Sequence, residues 1–171
     1  NTRFLSSKEE ITYDQIYDNI DENFKDMKDE ELSLEFKSIL LNEEVKDLYD
    51  YARSLRKKVI FTSDMYLPLD FIKKLFTKFE INDYSALYVS SELKLTKHNG
   101  NLFKKIISDL NCTPKDILHI GDNKKSDFIV PKKMGIKAVH YLSLNDSFKN
   151  SSAVKKLQYE LFDSADSDFL Q

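Results

Sequence analysis

Tryptophan is absent from this chain of 171 residues, cysteine occurs once, and glycine and proline occur only three times each. The single Cys112 excludes an internal disulfide and suits a reducing compartment. Three glycines leave no Gly-x-Gly-x-x-Gly, which sets aside a dinucleotide-binding fold. No apolar run approaches the roughly 18 residues that a membrane span needs. An excess of positive charge is also missing: 26 Lys plus Arg stand against 29 Asp plus Glu, a net charge of −3. That removes the basic footprint of a nucleic-acid partner. Neither nucleic acid nor membrane is expected as a partner, and the expected location is cytoplasmic.

At 41% hydrophobic, the chain can bury one core of ordinary domain size, with room for a small appendage. Residues 1–41 read as helical and mostly solvated. Thr12 and Gln15 have the spacing of a capping box, and Tyr13, Ile16, Tyr17, Ile20 and Phe24 recur at helical steps. Leu32, Phe36, Ile39 and Leu40 resume that pattern after a charged stretch. Asn42 is a candidate N-cap for a helix bearing Val45, Leu48, Tyr49, Ala52 and Leu55 on one face.

Beyond residue 58 the pattern changes. Val59–Phe61, Ala86–Val89, Ile117–Ile120 and Ala138–Tyr141 are β-prone runs. Between them lie candidate helices Leu69–Phe79, His98–Leu110 and Lys124–Met134, the first opened by Pro68. Strands alternating with helices predict an α/β fold with a parallel sheet. A last helix is expected over Ser151–Phe162, followed by an acidic tail. Gly100, Gly121 and Gly135 each fall between elements, where a positive φ or a close backbone approach is expected.

Four features carry candidate chemistry. Thr62-Ser63-Asp64 ends the first strand, where a hydroxyl and free amides can bind a phosphate oxygen, although turn chemistry uses the same residues. Lys97 stands at a helix start, where its ammonium suits a phosphoryl group. The plain alternative is a solvated surface lysine. Asp122 and Asp127 follow the third strand in the spacing Gly-Asp-x4-Asp. They suit a divalent cation at a strand end, or else a turn and a helix cap. His98, His119 and His140 lack metal-site spacing.

Strand–hydroxyl, then lysine, then Gly-Asp-x4-Asp resembles the second, third and fourth motifs of the haloacid dehalogenase (HAD) superfamily of phosphohydrolases. The run Phe61-Thr62-Ser63-Asp64-Met65-Tyr66-Leu67-Pro68 resembles a subgroup associated with surface-polysaccharide loci. The resemblance implies a HAD-like Rossmannoid parallel sheet with a partial helical cap. It divides the chain into a cap segment at 1–41, an α/β core at 42–145, and a C-terminal helix and tail at 146–171. It makes Ser63 the phosphate-binding hydroxyl, with Thr62 the other register and Asp64 beside it. Lys97 then stabilises the nucleophile and the phosphoryl group, Asp122 is the Mg²⁺ ligand, and Asp127 supports the metal or the lysine. A small phosphorylated substrate is implied.

The family's first motif, an apolar strand leading into Asp-x-Asp, has no counterpart here. Asp166-Ser167-Asp168 lies in polar company in the tail. A covalent aspartyl mechanism needs that nucleophile, so hydrolysis is not expected of these residues alone. The family's first strand is also central in its sheet. A further N-terminal segment or a neighbouring chain is therefore expected to fill the slot, since unpaired backbone in mid-sheet is costly. The other reading is an inactive HAD-like fragment or binding module. A receiver-type signalling domain is set aside because its acidic residues precede its hydroxyl and lysine.

Overall fold

The computed structural model describes residues 9–142, and the expected helix at 151–162 and the tail with Asp166 and Asp168 lie outside them. The chain divides into two compact units, one running through Pro114 and the other starting at Lys115.

The first unit opens with helix α1, Tyr13–Tyr17, on the expected capping box. Thr12 Oγ1 accepts from the Gln15 amide at 3.2 Å, and the Gln15 side chain accepts from the Thr12 amide at 2.9 Å. A 3-10 segment, Glu22–Met27, leads into α2, Lys28–Ser38, which buries none of its residues. Asn42 caps α3, Glu43–Ser54, by accepting from the Val45 amide. Of the apolar face expected on α3, only Tyr49 is buried, while Val45, Leu48 and Leu55 are exposed.

Strand β1, Ile60–Ser63, is joined through α4, Leu69–Lys78, to the parallel strand β2, Ala86–Val89. Pro68 is the N-cap of α4, as expected from its fixed φ and missing N–H. Tyr13, Tyr17, Leu67, Phe71, Ile72, Leu75 and Val89 form the core cluster, so α1, α4 and β2 share one hydrophobic interior. A second contact layer is aromatic: Phe61 sits 4.7 Å from Phe76 and 5.7 Å from Tyr49 between ring centroids, within the range of favourable ring pairs. The short helix α5, Ser90–Leu93, follows β2 directly, and α6, Asn101–Leu110, buries Leu102, Phe103 and Ile106.

The sequence pattern starts α6 at His98, whereas the helix begins at Asn101. Residues 97–100 form a turn closed by the Gly100 amide on the Lys97 carbonyl at 2.9 Å, with Gly100 in the left-handed region at φ 79. Glycine tolerates that conformation without a Cβ clash.

The second unit carries β3, Leu118–Gly121, and the parallel strand β4, Lys137–His140. The connection expected as one helix is instead a wide π-type stretch, Lys124–Ile129, followed by the short α7, Val130–Lys133. Pro131 explains the break, because it has no N–H to give to the carbonyl four residues earlier. The strands thus form two separate two-stranded parallel sheets in a mixed α/β chain. Among the described residues no helix is long and apolar enough to cross a membrane.

Candidate functional site

In the first unit the parallel register sets Ser63 against Val89, so β1 and β2 end side by side. Ligands gather at such carboxyl-terminal strand edges in α/β sheets. The loops that leave them are tied together by side chains. Asp64, the residue after β1, accepts from the Lys97 amide at 2.8 Å and the His98 amide at 3.1 Å. Its carboxylate is therefore engaged with the backbone of the loop that carries the candidate lysine. The Met65 amide donates to Ser90 Oγ at 2.8 Å, and Ser91 Oγ donates to the Leu67 carbonyl at 2.9 Å. Ser90 and Ser91 are fully buried, and their hydroxyls serve this fastening.

Lys97 is only 8% exposed, which overturns the plain reading of a solvated surface lysine. Burying an ammonium calls for polar company, and the turn that carries Lys97 is tied to the end of β1 through Asp64. Thr62 and Ser63 are both half-buried in β1. Two buried side-chain atoms among the described residues lack a hydrogen-bond partner, Thr62 Oγ1 and Lys94 Nζ. Lys94 closes α5 in the left-handed region at φ 55.

Two glutamates complete the cluster. Glu9 Oε2 accepts from the Thr96 amide at 2.9 Å and from Thr96 Oγ1 at 3.3 Å, and Glu9 Oε1 accepts from the Asn101 side-chain amide. Burial alone would push the Glu9 carboxyl up, but the hydrogen bonds from Thr96, Asn101 and Asn99 outweigh it and hold the group below the usual carboxylate range. Glu10 is fully buried, with Oε2 accepting from Ser90 Oγ at 2.9 Å and Oε1 from the Ile11 amide at 3.0 Å.

In the second unit, Asp127 is 3% exposed and its two oxygens have different partners. Oδ1 lies 2.9 Å from His119 Nε2, and Oδ2 accepts from the Asn123 amide at 3.0 Å. Asn123 in turn caps the π-type stretch, its side chain accepting from the amides of Lys125 and Ser126. The carboxylate packs so tightly on Gly121 that a Cβ there would stand 2.5 Å from Asp127 Cγ. Only glycine fits, and the reason is close approach.

Asp122, next to Gly121, is exposed. Its carbonyl accepts from His140 Nε2 at 2.8 Å, which joins the loop to β4. Asp127 is thus the buried anchor of this loop, and Asp122 is the carboxylate offered outward.

The sequence pattern puts Ser63 and Asp64 at the end of the first strand and Lys97 at a helix start, and the first unit brings Asp64 into direct contact with the Lys97 turn. It placed Asp122 and Asp127 on one loop, where the second unit gives them different environments. It missed Glu9, Glu10, Ser90 and Lys94, because their roles depend on contacts across 80 or more residues in the first two cases.

For a divalent cation, no group of three His, Cys, Asp or Glu that could hold a metal occurs among the described residues. Mg²⁺ keeps several waters and commonly uses one or two carboxylates with substrate phosphate. Asp122 fits as a single outward carboxylate of that kind, and an all-protein cage does not. No protein-family model matches the chain, and no curated protein matches it.

Proposed function

We propose that this chain carries the phosphoryl-binding and metal-side residues of a Mg²⁺-dependent phosphohydrolase of HAD type. Its substrate is a small phosphorylated metabolite, and sugar or polysaccharide precursors are the first compounds to try. The observation that carries the reading is the buried Lys97, in a turn gripped by Asp64 at the edge where Ser63 ends its strand. A lysine of this kind supplies a fixed point charge for a phosphate.

Ser63 donates its hydroxyl to a phosphoryl oxygen, Thr62 lies next to it in β1, and the Lys97 ammonium faces the charge that develops on the transferring group. Asp122 would supply a carboxylate to Mg²⁺, and Asp127 holds the loop that carries Asp122. Mg²⁺ bound at that carboxylate would supply Lewis-acid charge stabilisation.

The fold that goes with this reading is the HAD-type Rossmannoid sheet with a partial helical cap. The covalent mechanism of that family would need an Asp-x-Asp strand in addition to these residues. A second reading, binding without turnover, is favoured by one feature: no apolar strand leads into Asp-x-Asp in these 171 residues.

The test is direct. Inorganic phosphate titrated into the ¹⁵N-labelled chain should shift the amides of Ser63, Asp64 and Lys97, and a flat response there refutes phosphate binding. The chain alone should not hydrolyse an aryl phosphate. In a protein that also contains the Asp-x-Asp strand, Asp122→Asn should abolish Mg²⁺-dependent hydrolysis while the fold persists. Unchanged turnover sinks the metal assignment, and no turnover in the parent protein favours the binding module.

A further inference from the structure

The turn that carries Lys97 is held from two sides by carboxylates, Asp64 from the motif run and Glu9 from outside it. On one side Asp64 takes the amides of Lys97 and His98. On the other, Glu9 spans the turn: it takes the amide and hydroxyl of Thr96, immediately before the lysine, and the side chain of Asn101, the first residue of α6. Within the turn, Thr96 Oγ1 accepts from the Asn99 amide at 3.3 Å, and the Leu102 amide donates to the Thr96 carbonyl at 3.1 Å. Glu10, with no exposed surface, takes the hydroxyl of Ser90, which itself accepts from the Met65 amide beyond β1. The two glutamates stand in the short stretch that leads into α1, whose Tyr13 amide donates to the Tyr66 carbonyl at 2.9 Å.

We propose that Glu9 and Glu10 are positioning residues for Lys97, fixing the turn 96–101 and the β1 loop as one rigid frame for a phosphoryl group. Loops are the mobile parts of a fold, and a binding side chain must be held within about 0.5 Å of its working position. A carboxylate does this where an apolar side chain could not, because it accepts several N–H and O–H groups at once and those bonds are among the stronger ones. The three carboxylates divide the labour. Asp64 sets the lysine's own amide, Glu9 sets the two ends of its turn, and Glu10 couples that frame to the start of the helical segment.

This inference rests on the phosphoryl-binding reading, and the experiment separates the two. Inorganic phosphate affinity is measured by amide shifts of Lys97 and Ser63 in the wild-type chain, in Glu9→Ala and in Glu9→Gln, with the thermal midpoint of each. Phosphate should bind the wild type, and Glu9→Ala should weaken it by about tenfold or more, one factor of ten corresponding to about 1.4 kcal/mol. Glu9→Gln keeps the volume and one acceptor, so it should recover part of the affinity. It also serves as the comparison if the alanine variant does not fold.

Amide exchange at Lys97 and His98 should quicken in Glu9→Ala, while exchange in the α4 core stays at the wild-type rate. A wild type without phosphate shifts overturns the phosphoryl reading and this inference with it. Wild-type binding with equal affinity in the Glu9 variants overturns the positioning role alone. So does a loss of affinity that merely follows a uniform drop in stability.

Discussion

Replacing Gly121 by alanine tests the architecture of the Asp122 loop in one atom. The added Cβ would lie 2.5 Å from Asp127 Cγ, 2.6 Å from Oδ2 and 2.7 Å from Cβ, all closer than non-bonded atoms tolerate. Asp127 must move, and its carboxylate is not the loose end of a flexible chain: it is buried and bound to both His119 and the Asn123 amide. Forcing an extra methyl into a packed site costs about 1–3 kcal/mol. Each hydrogen bond to a charged group that is broken adds about 1.5–3 kcal/mol, less whatever water recovers. A loss of about 2–4 kcal/mol is expected for the second unit, a large share of the stability of a small fold.

The assay is urea denaturation read by NMR on amides of the second unit, which reports on that unit alone. With a urea dependence of about 1–3 kcal/mol per molar, the midpoint should fall by about 1 M or more, or the unit should already be unfolded in buffer. The double-mutant cycle with Asp127→Ala supplies the control. With the carboxylate gone, Gly121→Ala should cost far less than in the wild type, giving a coupling above about 1 kcal/mol. A Gly121→Ala cost within about 0.5 kcal/mol of zero, the range of an ordinary surface change, would refute the close-approach argument. So would equal costs in both backgrounds.

Two further outcomes follow from the first unit. Lys94 combines a left-handed φ of 55 with a buried ammonium that lacks a hydrogen-bond partner. Lys94→Gly should therefore raise stability by about 1 kcal/mol or more in thermal unfolding, through relief of both the backbone conformation and the desolvated charge. A lower midpoint would show that the lysine stem contributes more by packing than its head group costs. Glu9 gives a pH signature. Its carboxyl is held below the usual range, so the stabilisation is present above the unfolded value of about 4.3 and is lost as pH falls through the folded value. The Thr96 amide resonance should titrate in that acid window and cease to do so in Glu9→Gln. An identical profile in the variant refutes the assignment.

Much of the local structure was legible in the residues. The capping boundary at Thr12, the cap at Asn42 and the start at Pro68 depend on side chains within four positions of the backbone they serve, so spacing reveals them. The four strands were found to within about two residues because β-prone apolar runs bounded by turn residues are a short-range signal. The scarce glycines also read correctly: Gly100 and Gly135 adopt positive φ, and Gly121 admits a buried carboxylate. The late start of α6 and the π-type stretch before Pro131 were not legible. Both turn on which carbonyl a given amide finds, and periodicity is nearly blind to that.

By itself, then, the sequence determined the alternation of strands and helices, the parallel pairing that goes with it, and the residue types available at the strand ends. Those are consequences of period, propensity and local capping. Tertiary structure alone decided which of those residues are buried and what they hold. It placed Lys97 out of solvent, gave Asp64 and Glu9 to the backbone of its turn, and separated a buried Asp127 from an outward Asp122. The reason is physical: burial and hydrogen-bond partners come from segments dozens of residues apart, and no local spacing encodes which distant amide a carboxylate will meet.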